Sequence, residues 1–438
     1  MIINDDLNIR LFSDVFYRQY GDECYVWKTS KQQMFSYDHT LIDVLNNIGF
    51  KFINIKSLID KVKEVYNIES DDIENIYELI CDLINNEIIE SYNQNENETD
   101  DLELEDFTAE RHILYGVLFE LTYSCNEKCK HCYVDYKGND SPLNTSQIYS
   151  VIDQLVEANV NNIVFSGGDI FTRNDAFDII RYAVSKRMLV DIYTNGLALD
   201  DAMIFKLAKL NLRSVQCSIY GSNALIHDNI TAIKGSFNKT IDVLVKFKLC
   251  GTPVSMKVPL MKDNIKDFEN IKKLAMELGI PPQFSTSIRP TMQGNNDNLN
   301  LRAEIDDIYN FIKLQYKNKI KEFKEKTVDV NKELICRAGF NSLTINPFGD
   351  VYICESLGDS IGNLKETSLL DIWNNSSILK EWRKHRQKDL EECAACNLLT
   401  FCHFCPAQAY LETGQWNKKY DEACTYAQCY FNAVNGKC

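Results

Sequence analysis

From Ile113 to about Ile288 short apolar runs alternate with stretches of helical periodicity. Leu114–Thr122, Asn162–Phe165, Leu189–Tyr193, Ser214–Ile219, Val254–Val258 and Gln283–Ser287 read as strands. Ser146–Glu157, Ala176–Lys186, Ala202–Leu210, Phe237–Leu249 and Phe268–Leu278 read as helices. Strand–helix alternation of this length commits the chain to α/β architecture with a parallel sheet, closed or nearly closed into a six-stranded partial barrel. In such barrels the chemistry sits at the carboxyl ends of the strands.

The first strand runs into Cys125-Asn126-Glu127-Lys128-Cys129-Lys130-His131-Cys132. Three thiolates on one loop suit three corners of a 4Fe–4S cube and leave one iron for a small chelating molecule. Structural zinc calls for four protein ligands, and no fourth lies at finger spacing. The chain has 16 cysteines in 438 residues. The N-terminus is polar and acidic rather than a secretory signal, and no apolar run reaches the roughly 18 residues of a membrane span. A cytoplasmic location is expected, where structural disulfides are rare and clustered cysteines point to metal or redox chemistry. Cys24, Cys81, Cys217 and Cys250 stand alone and read as plain buried thiols.

The loop resembles the signature of the radical S-adenosylmethionine (SAM) superfamily, which implies a SAM-binding 4Fe–4S cluster on Cys125, Cys129 and Cys132 and chemistry through a 5′-deoxyadenosyl radical. His131 holds the place that is commonly aromatic in the family. At the second strand end, Gly167, Gly168 and Asp169 match the place that contacts the SAM amino group, with Asp169 and Ile170 standing for the usual Glu and Pro. Thr194, Asn195, Ser218 and Lys257 match further SAM-contact places. Singly, the polar residues among these also read as turn or capping groups, and Lys257 as a rim charge.

Residues 326–438 carry Cys336, Gly349, Cys354, Cys393-Ala394-Ala395-Cys396, Cys402-His403-Phe404-Cys405 and Cys424. This is similar to the SPASM extension of radical SAM peptide maturases, which implies two auxiliary 4Fe–4S clusters. Carried over, Cys336, Cys354 and Cys405 hold the first and Cys393, Cys396, Cys402 and Cys424 the second. The fourth iron of the first cluster is then either closed by Cys429 or Cys438 or open to a substrate thiolate. Two independent zinc knuckles would be spaced more widely than Cys396 and Cys402.

Residues 1–92 read as three strands (Phe16–Tyr20, Cys24–Lys28, Gln33–Tyr37) and three helices, a miniature winged-helix arrangement. They resemble the RiPP recognition element, a domain that binds the leader of a ribosomally synthesised, post-translationally modified peptide. In that family the leader adds as a strand to the sheet edge. Residues 1–91 carry 17 acidic and 8 basic side chains, and the whole chain a net charge of −16, so a nucleic-acid partner is excluded. Residues 93–110 hold eight acidic and no basic residues and read as a solvated linker between this unit and a barrel over 111–325.

Together these resemblances imply a radical SAM/SPASM maturase that takes a precursor peptide and an electron donor such as flavodoxin or ferredoxin, and no membrane. The expected reaction is a thioether between a cysteine sulfur and a carbon, of the sactipeptide or ranthipeptide type. Carbon–carbon crosslinking, epimerisation, oxidation of a sulfatase residue and a non-catalytic metal-binding peptide scaffold are the alternatives.

Overall fold

The computed structural model describes residues 8–12, 15–20, 22–28, 33–39, 41–48, 53–66, 72–91, 108–136, 141–315 and 329–435. The chain divides into two compact units, Met1–Ile113 and Leu114–Cys438.

In the first unit the expected strands and helices form. β2 (Val15–Tyr20), β3 (Glu23–Lys28) and β4 (Gln33–Asp38) make an antiparallel sheet with β3 in the centre. The helices are α1 (Leu41–Ile48), α2 (Ile55–Tyr66) and α3 (Asp72–Asn85). Their apolar faces supply Leu41, Leu45, Leu58, Val62, Ile80 and Leu83 to one core with Val15, Cys24 and Val26 of the sheet. A second small sheet was not legible in the sequence. β1 (Asn8–Leu11) is flanked by β5 (Ile53–Asn54) and β6 (Ile89–Ser91), both antiparallel to it. Strands of two to four residues leave no period to read; partners distant in sequence define them.

The second unit is built on one nine-stranded sheet. β7 (Gly116–Thr122), β8 (Asn162–Gly167), β9 (Leu189–Thr194), β10 (Ser214–Ser218), β11 (Val254–Pro259) and β12 (Pro282–Ser285) follow one another, all parallel. On the other side of β7 comes β13 (Ser342–Ile345), parallel to it, then antiparallel β14 (Asp350–Tyr352) and β15 (Gly362–Asn363). The order is β12-β11-β10-β9-β8-β7-β13-β14-β15. The barrel is therefore an open arc rather than a closed ring, and the cysteine-rich tail continues its sheet instead of folding as a separate body.

Side chains alternate along each strand. Phe119, Phe165, Ile192, Val215 and Cys217 share one face and are fully buried, as the layer under the crossover helices requires. The opposite face carries Glu120 beside Ser166, Tyr193 beside Gln216, and Ser218 beside Lys257 and Gln283. This polar side of the arc is the one on which chemistry can take place.

The crossover helices start at side-chain caps. Asn144 forms a reciprocal capping box with Gln147, and Asp200 and Asn223 cap the next starts. The Asn223 helix, Ala224–Thr231, is absent from the sequence reading. The helix expected over 304–325 runs from Ile305 to Gln315, and residues 316–328 lie outside the described residues. So do residues 93–107 of the acidic segment. No helix among the described residues is long and apolar enough to cross a membrane.

Candidate iron–sulfur and cofactor site

β7 delivers the loop of Cys125, Cys129 and Cys132 to the carboxyl end of the arc. Cys125 and Cys132 are exposed and Cys129 is half-buried. The Cys129 thiol donates to Glu127 Oε2 at 3.2 Å and lies 3.8 Å from the Tyr220 hydroxyl. The loop is pinned from outside: the amides of Lys128 and Lys130 donate to the Thr231 and Ile230 carbonyls at 3.0 Å. From the other flank the Asn298 amide donates to the Cys132 carbonyl at 3.1 Å. Burial raises all three thiols, and the Cys132 charge adds to the rise at both Cys125 and Cys129.

The second strand end packs directly under this loop. Gly167 has φ +128°, and a methyl group there would fall on the Thr122 carbonyl oxygen. A methyl on Gly168 would strike the Ser124 carbonyl oxygen and lie 2.8 Å from that of Tyr123. Only glycine lets β8 end this close to the cysteine loop.

Asp169 is 1% exposed, and its carboxylate is spent inside the protein. Oδ1 accepts from Phe171 N at 2.9 Å, and Oδ2 from Thr194 Oγ1 at 2.6 Å and Asn195 N at 2.7 Å. Thr194 in turn accepts from Gly196 N at 3.0 Å. Asp169 and Thr194 therefore brace the ends of β8 and β9 against each other. The side chains expected to contact a cofactor thus also hold these two strand ends together. Asn195 is nearer to the expectation: its amide donates to Cys125 Sγ at 3.7 Å and to Asn126 Oδ1 at 2.6 Å. Ser218 and Lys257 stand side by side at the ends of β10 and β11. Burial lowers the Lys257 pKa, and its ammonium lies 4.9 Å from the centre of the Tyr193 ring. His131 is packed against Tyr220, ring centroids 5.0 Å apart. Burial lowers its pKa to about 4, so the ring is neutral, and its Nδ1 has no partner.

In the tail, Cys393, Cys396, Cys402 and Cys424 act on one another electrostatically. Burial first, then the charges of Cys393, Cys424 and Cys396, push Cys402 up to about 12. Cys424 is raised by Cys396, and Cys393 by both. Burial raises Cys336, Cys354 and Cys405, the Cys405 charge adds to the rise at Cys336, and the Glu355 carboxylate adds to it at all three. Cys429 is buried elsewhere, its Sγ 3.9 Å from the Ile305 carbonyl, with Asp306 as the charge acting on it. The structure does not bring it to the Cys336 group; it fills the seam between the Ile305–Gln315 and Asp421–Asn435 helices. Cys438 lies outside the described residues.

Groups of three and four thiols suit iron–sulfur clusters. Among the described residues no three His, Cys, Asp or Glu side chains close on a point that would hold a single metal ion.

Five residues missed in the sequence link the cysteine loop to the Cys336 group: Glu120, Tyr123, Tyr133, Arg289 and Glu355. Glu120 is 1% exposed on the polar face of β7, and accepts from the Tyr133 and Tyr123 hydroxyls at 2.7 and 3.1 Å. Burial raises it to about 7 against the pull of those two donors. Arg289 lies over the Tyr133 ring at 4.3 Å and pairs with Glu355 at 2.8 Å. Burial opposes the Glu355 charge, yet the Arg289 guanidinium holds its pKa below the usual value. Glu355 Oε2 accepts from Cys354 Sγ at 3.1 Å. The available signal was a carboxylate in an otherwise apolar strand.

Comparisons with known proteins agree with this layout. Residues 119–275 match the radical SAM superfamily, and residues 336–397 an iron–sulfur cluster-binding domain named SPASM. An AdoMet-dependent heme synthase of Methanosarcina barkeri is 24% identical over 326 residues, covering 68% of this chain and 93% of its own length. The subtilosin biosynthesis protein AlbA of Bacillus subtilis is 24% identical over 329 residues, covering 71% of this chain and 70% of its own. The crystal structure of Streptococcus suis SuiB bound to its precursor peptide SuiA superposes with a TM-score of 0.63 at 14% identity, over 95% of this chain and 99% of that one. With the cysteine loop following the first strand of the arc and part of the second cysteine field on the same sheet, the chain carries a radical SAM domain over residues 119–275 and a SPASM iron–sulfur cluster-binding domain over residues 336–397.

Proposed function

We propose that this protein matures a ribosomally made peptide, most specifically by forming thioethers between cysteine sulfur and carbon. The observation that carries the reading is the presence of three separate thiol groups in the second unit, on a chain whose first unit ends its β2-β3-β4 sheet, among the described residues, in the edge strands β2 and β4. In this reading Cys125, Cys129 and Cys132 hold the SAM-binding cluster. Cys393, Cys396, Cys402 and Cys424 hold one auxiliary cluster, and Cys336, Cys354 and Cys405 the other, with its fourth iron open to substrate sulfur. Bound there, the three clusters and SAM supply a deoxyadenosyl radical that removes a substrate hydrogen atom and an acceptor for the second electron.

The residues do the positioning. Gly167 and Gly168 let the second strand approach the cofactor, and Asn195, Ser218 and Lys257 offer polar contacts to it. The edges of the β2-β3-β4 sheet and helix α2 take the leader, which adds as a further strand. Likeness to SuiB over 95% of the chain, the N-terminal unit included, supports the peptide reading over a small-molecule one. The similarity to heme synthases, which covers 68% of the chain, favours oxidation of a small molecule as the second reading.

Anaerobic reconstitution tests both. The expected result is about twelve irons per chain, absorbance near about 400 nm and reductant-dependent release of deoxyadenosine. With the precursor peptide, the product is about two mass units lighter per link. Bound zinc without deoxyadenosine overturns the enzyme reading, and a peptide returned with unchanged mass overturns the thioether.

A further inference from the structure

The Ala224–Thr231 helix is the outer wall of the cysteine loop. It accepts the loop amides of Lys128 and Lys130 at Thr231 and Ile230, and Ile226 and Ile230 pack with Cys129, Tyr220 and Met261 in one cluster. A helix is about 10 Å across, so the outer face of this wall lies about that far from the packed Cys129 side of the loop. Leu225, on the same helix, is 84% exposed, the most exposed of the large hydrophobic side chains among the described residues.

The charge around it is unusual for this molecule. Lys128, Lys130 and Lys234 are exposed there. Against them stand Asp263, paired with Lys130 at 2.9 Å, and Asp228, which accepts from Gly235 N and Phe237 N at 2.6 and 2.9 Å. Glu127 turns inward to Cys129. A rim with more lysines than carboxylates stands out on a chain whose net charge is −16.

Under this rim runs a line of aromatic rings. Tyr220, 3.8 Å from Cys129 Sγ, lies 5.4 Å from His227 between ring centroids, and His227 lies 5.6 Å from Phe237. The Tyr220 amide also donates to His227 Nδ1 at 3.2 Å. Phe237 is half-buried, two residues beyond the turn at Gly235.

We propose that the Leu225 face of this helix, with Lys128, Lys130 and Lys234, is the docking surface for an acidic electron-carrier protein. The inference rests on the radical SAM reading, which requires one electron from outside for each SAM cleaved. The carrier is oxidised by one electron and the cluster on the cysteine loop reduced by one; no proton or covalent bond changes hands. The net charge of −16 opposes the approach of an acidic partner in general. The lysine rim would steer it, and Leu225 would give the contact an apolar centre.

The test uses reconstituted full-length enzyme, with reduced flavodoxin as the protein donor and photoreduced deazaflavin as a small donor that needs no docking. Bleaching of the cluster is followed by stopped flow, and binding of oxidised flavodoxin by calorimetry. The double variant Leu225→Ser/Lys234→Glu changes only exposed side chains outside the cysteine loop. At low salt it is expected to be reduced by flavodoxin at least about tenfold more slowly and to bind it correspondingly more weakly, with the deazaflavin rate unchanged. Raising salt to about 500 mM should bring the wild-type flavodoxin rate down towards that of the variant. Equal flavodoxin rates for wild type and variant overturn the proposal. So does an equal loss with deazaflavin, which would place the effect in the cluster rather than at a docking face. Failure of the enzyme reading itself is distinguishable: deazaflavin-reduced wild type would then release no deoxyadenosine.

Discussion

Asp169 is a charged group whose three hydrogen bonds are all internal. Hydrogen bonds to a buried charge are worth more than neutral ones, and removing the carboxylate strands the donors of Thr194 and Asn195. Asp169→Ala is therefore expected to cost about 3 kcal/mol in denaturant unfolding of the metal-free protein, a loss that a merely cofactor-contacting side chain would not produce. Glu120 has the opposite character. Its pKa rises from 4.5 to about 7 because burial penalises its charge, so the native state holds its proton more tightly than the unfolded chain does. The stability this gives is complete below about pH 4.5 and is lost as pH climbs to about 7. The contribution has the order of 3 kcal/mol. Glu120→Gln should flatten that part of the pH–stability curve, and an unchanged slope between those limits would contradict the assignment. Neither role was legible in the sequence. Asp169 sat at the expected strand end, but its partners lie 25 and 26 residues away. Glu120 meets Arg289 and Glu355 through chain segments more than 160 residues downstream. The cysteines were legible because spacing within a loop is local information.

At the scale of elements, the end of β8 and the cysteine loop behave as one part. Gly168 leaves no room for a side chain between β8 and the backbone of Tyr123 and Ser124. Gly168→Ala is expected to push the loop aside while leaving the tail cysteines alone. Iron analysis after reconstitution should show loss of about four of about twelve irons, together with loss of SAM-induced spectral change. Full iron content would show that the close approach is dispensable. Helices with a continuous apolar stripe, such as Phe268–Leu278, were read to the residue. The Ala224–Thr231 helix escaped because its Ile226 and Ile230 give just over one turn of pattern and its exposed Leu225 breaks it. Its cap, Asn223, was the one local signal.

Over the whole molecule, the sequence divides into handle, linker, barrel and tail, whereas contacts divide it once, at Ile113. The tail is welded to the arc in two ways. β13 pairs with β7, and Arg302 holds the Ile288 carbonyl at 3.0 Å while bonding Glu412 and Glu422 of the two last helices. Tyr426 adds a hydrogen bond to the Thr286 carbonyl at 2.6 Å. Calorimetry of the reconstituted protein should accordingly resolve at most two unfolding transitions, with barrel and tail melting together. A third, independently melting tail would contradict this. The composition pointed to separate bodies because cysteine-rich and apolar segments look unlike each other; sheet continuation is decided by backbone pairing, to which composition is blind.

That pairing has a mechanical corollary. Ser342 to Ile345 lie in register with Gly116 to Phe119, and the two strands run the same way. The cysteine loop follows β7, and Cys354 follows β14, which returns antiparallel along β13, so both are mounted on strands of one ladder. The span between them is a dimension of the sheet itself, with the stiffness of strand pairing. Insertions in the outer loops can lengthen the chain between the two cysteine fields without altering that span, much as slack in a rope leaves the distance between its two posts unchanged.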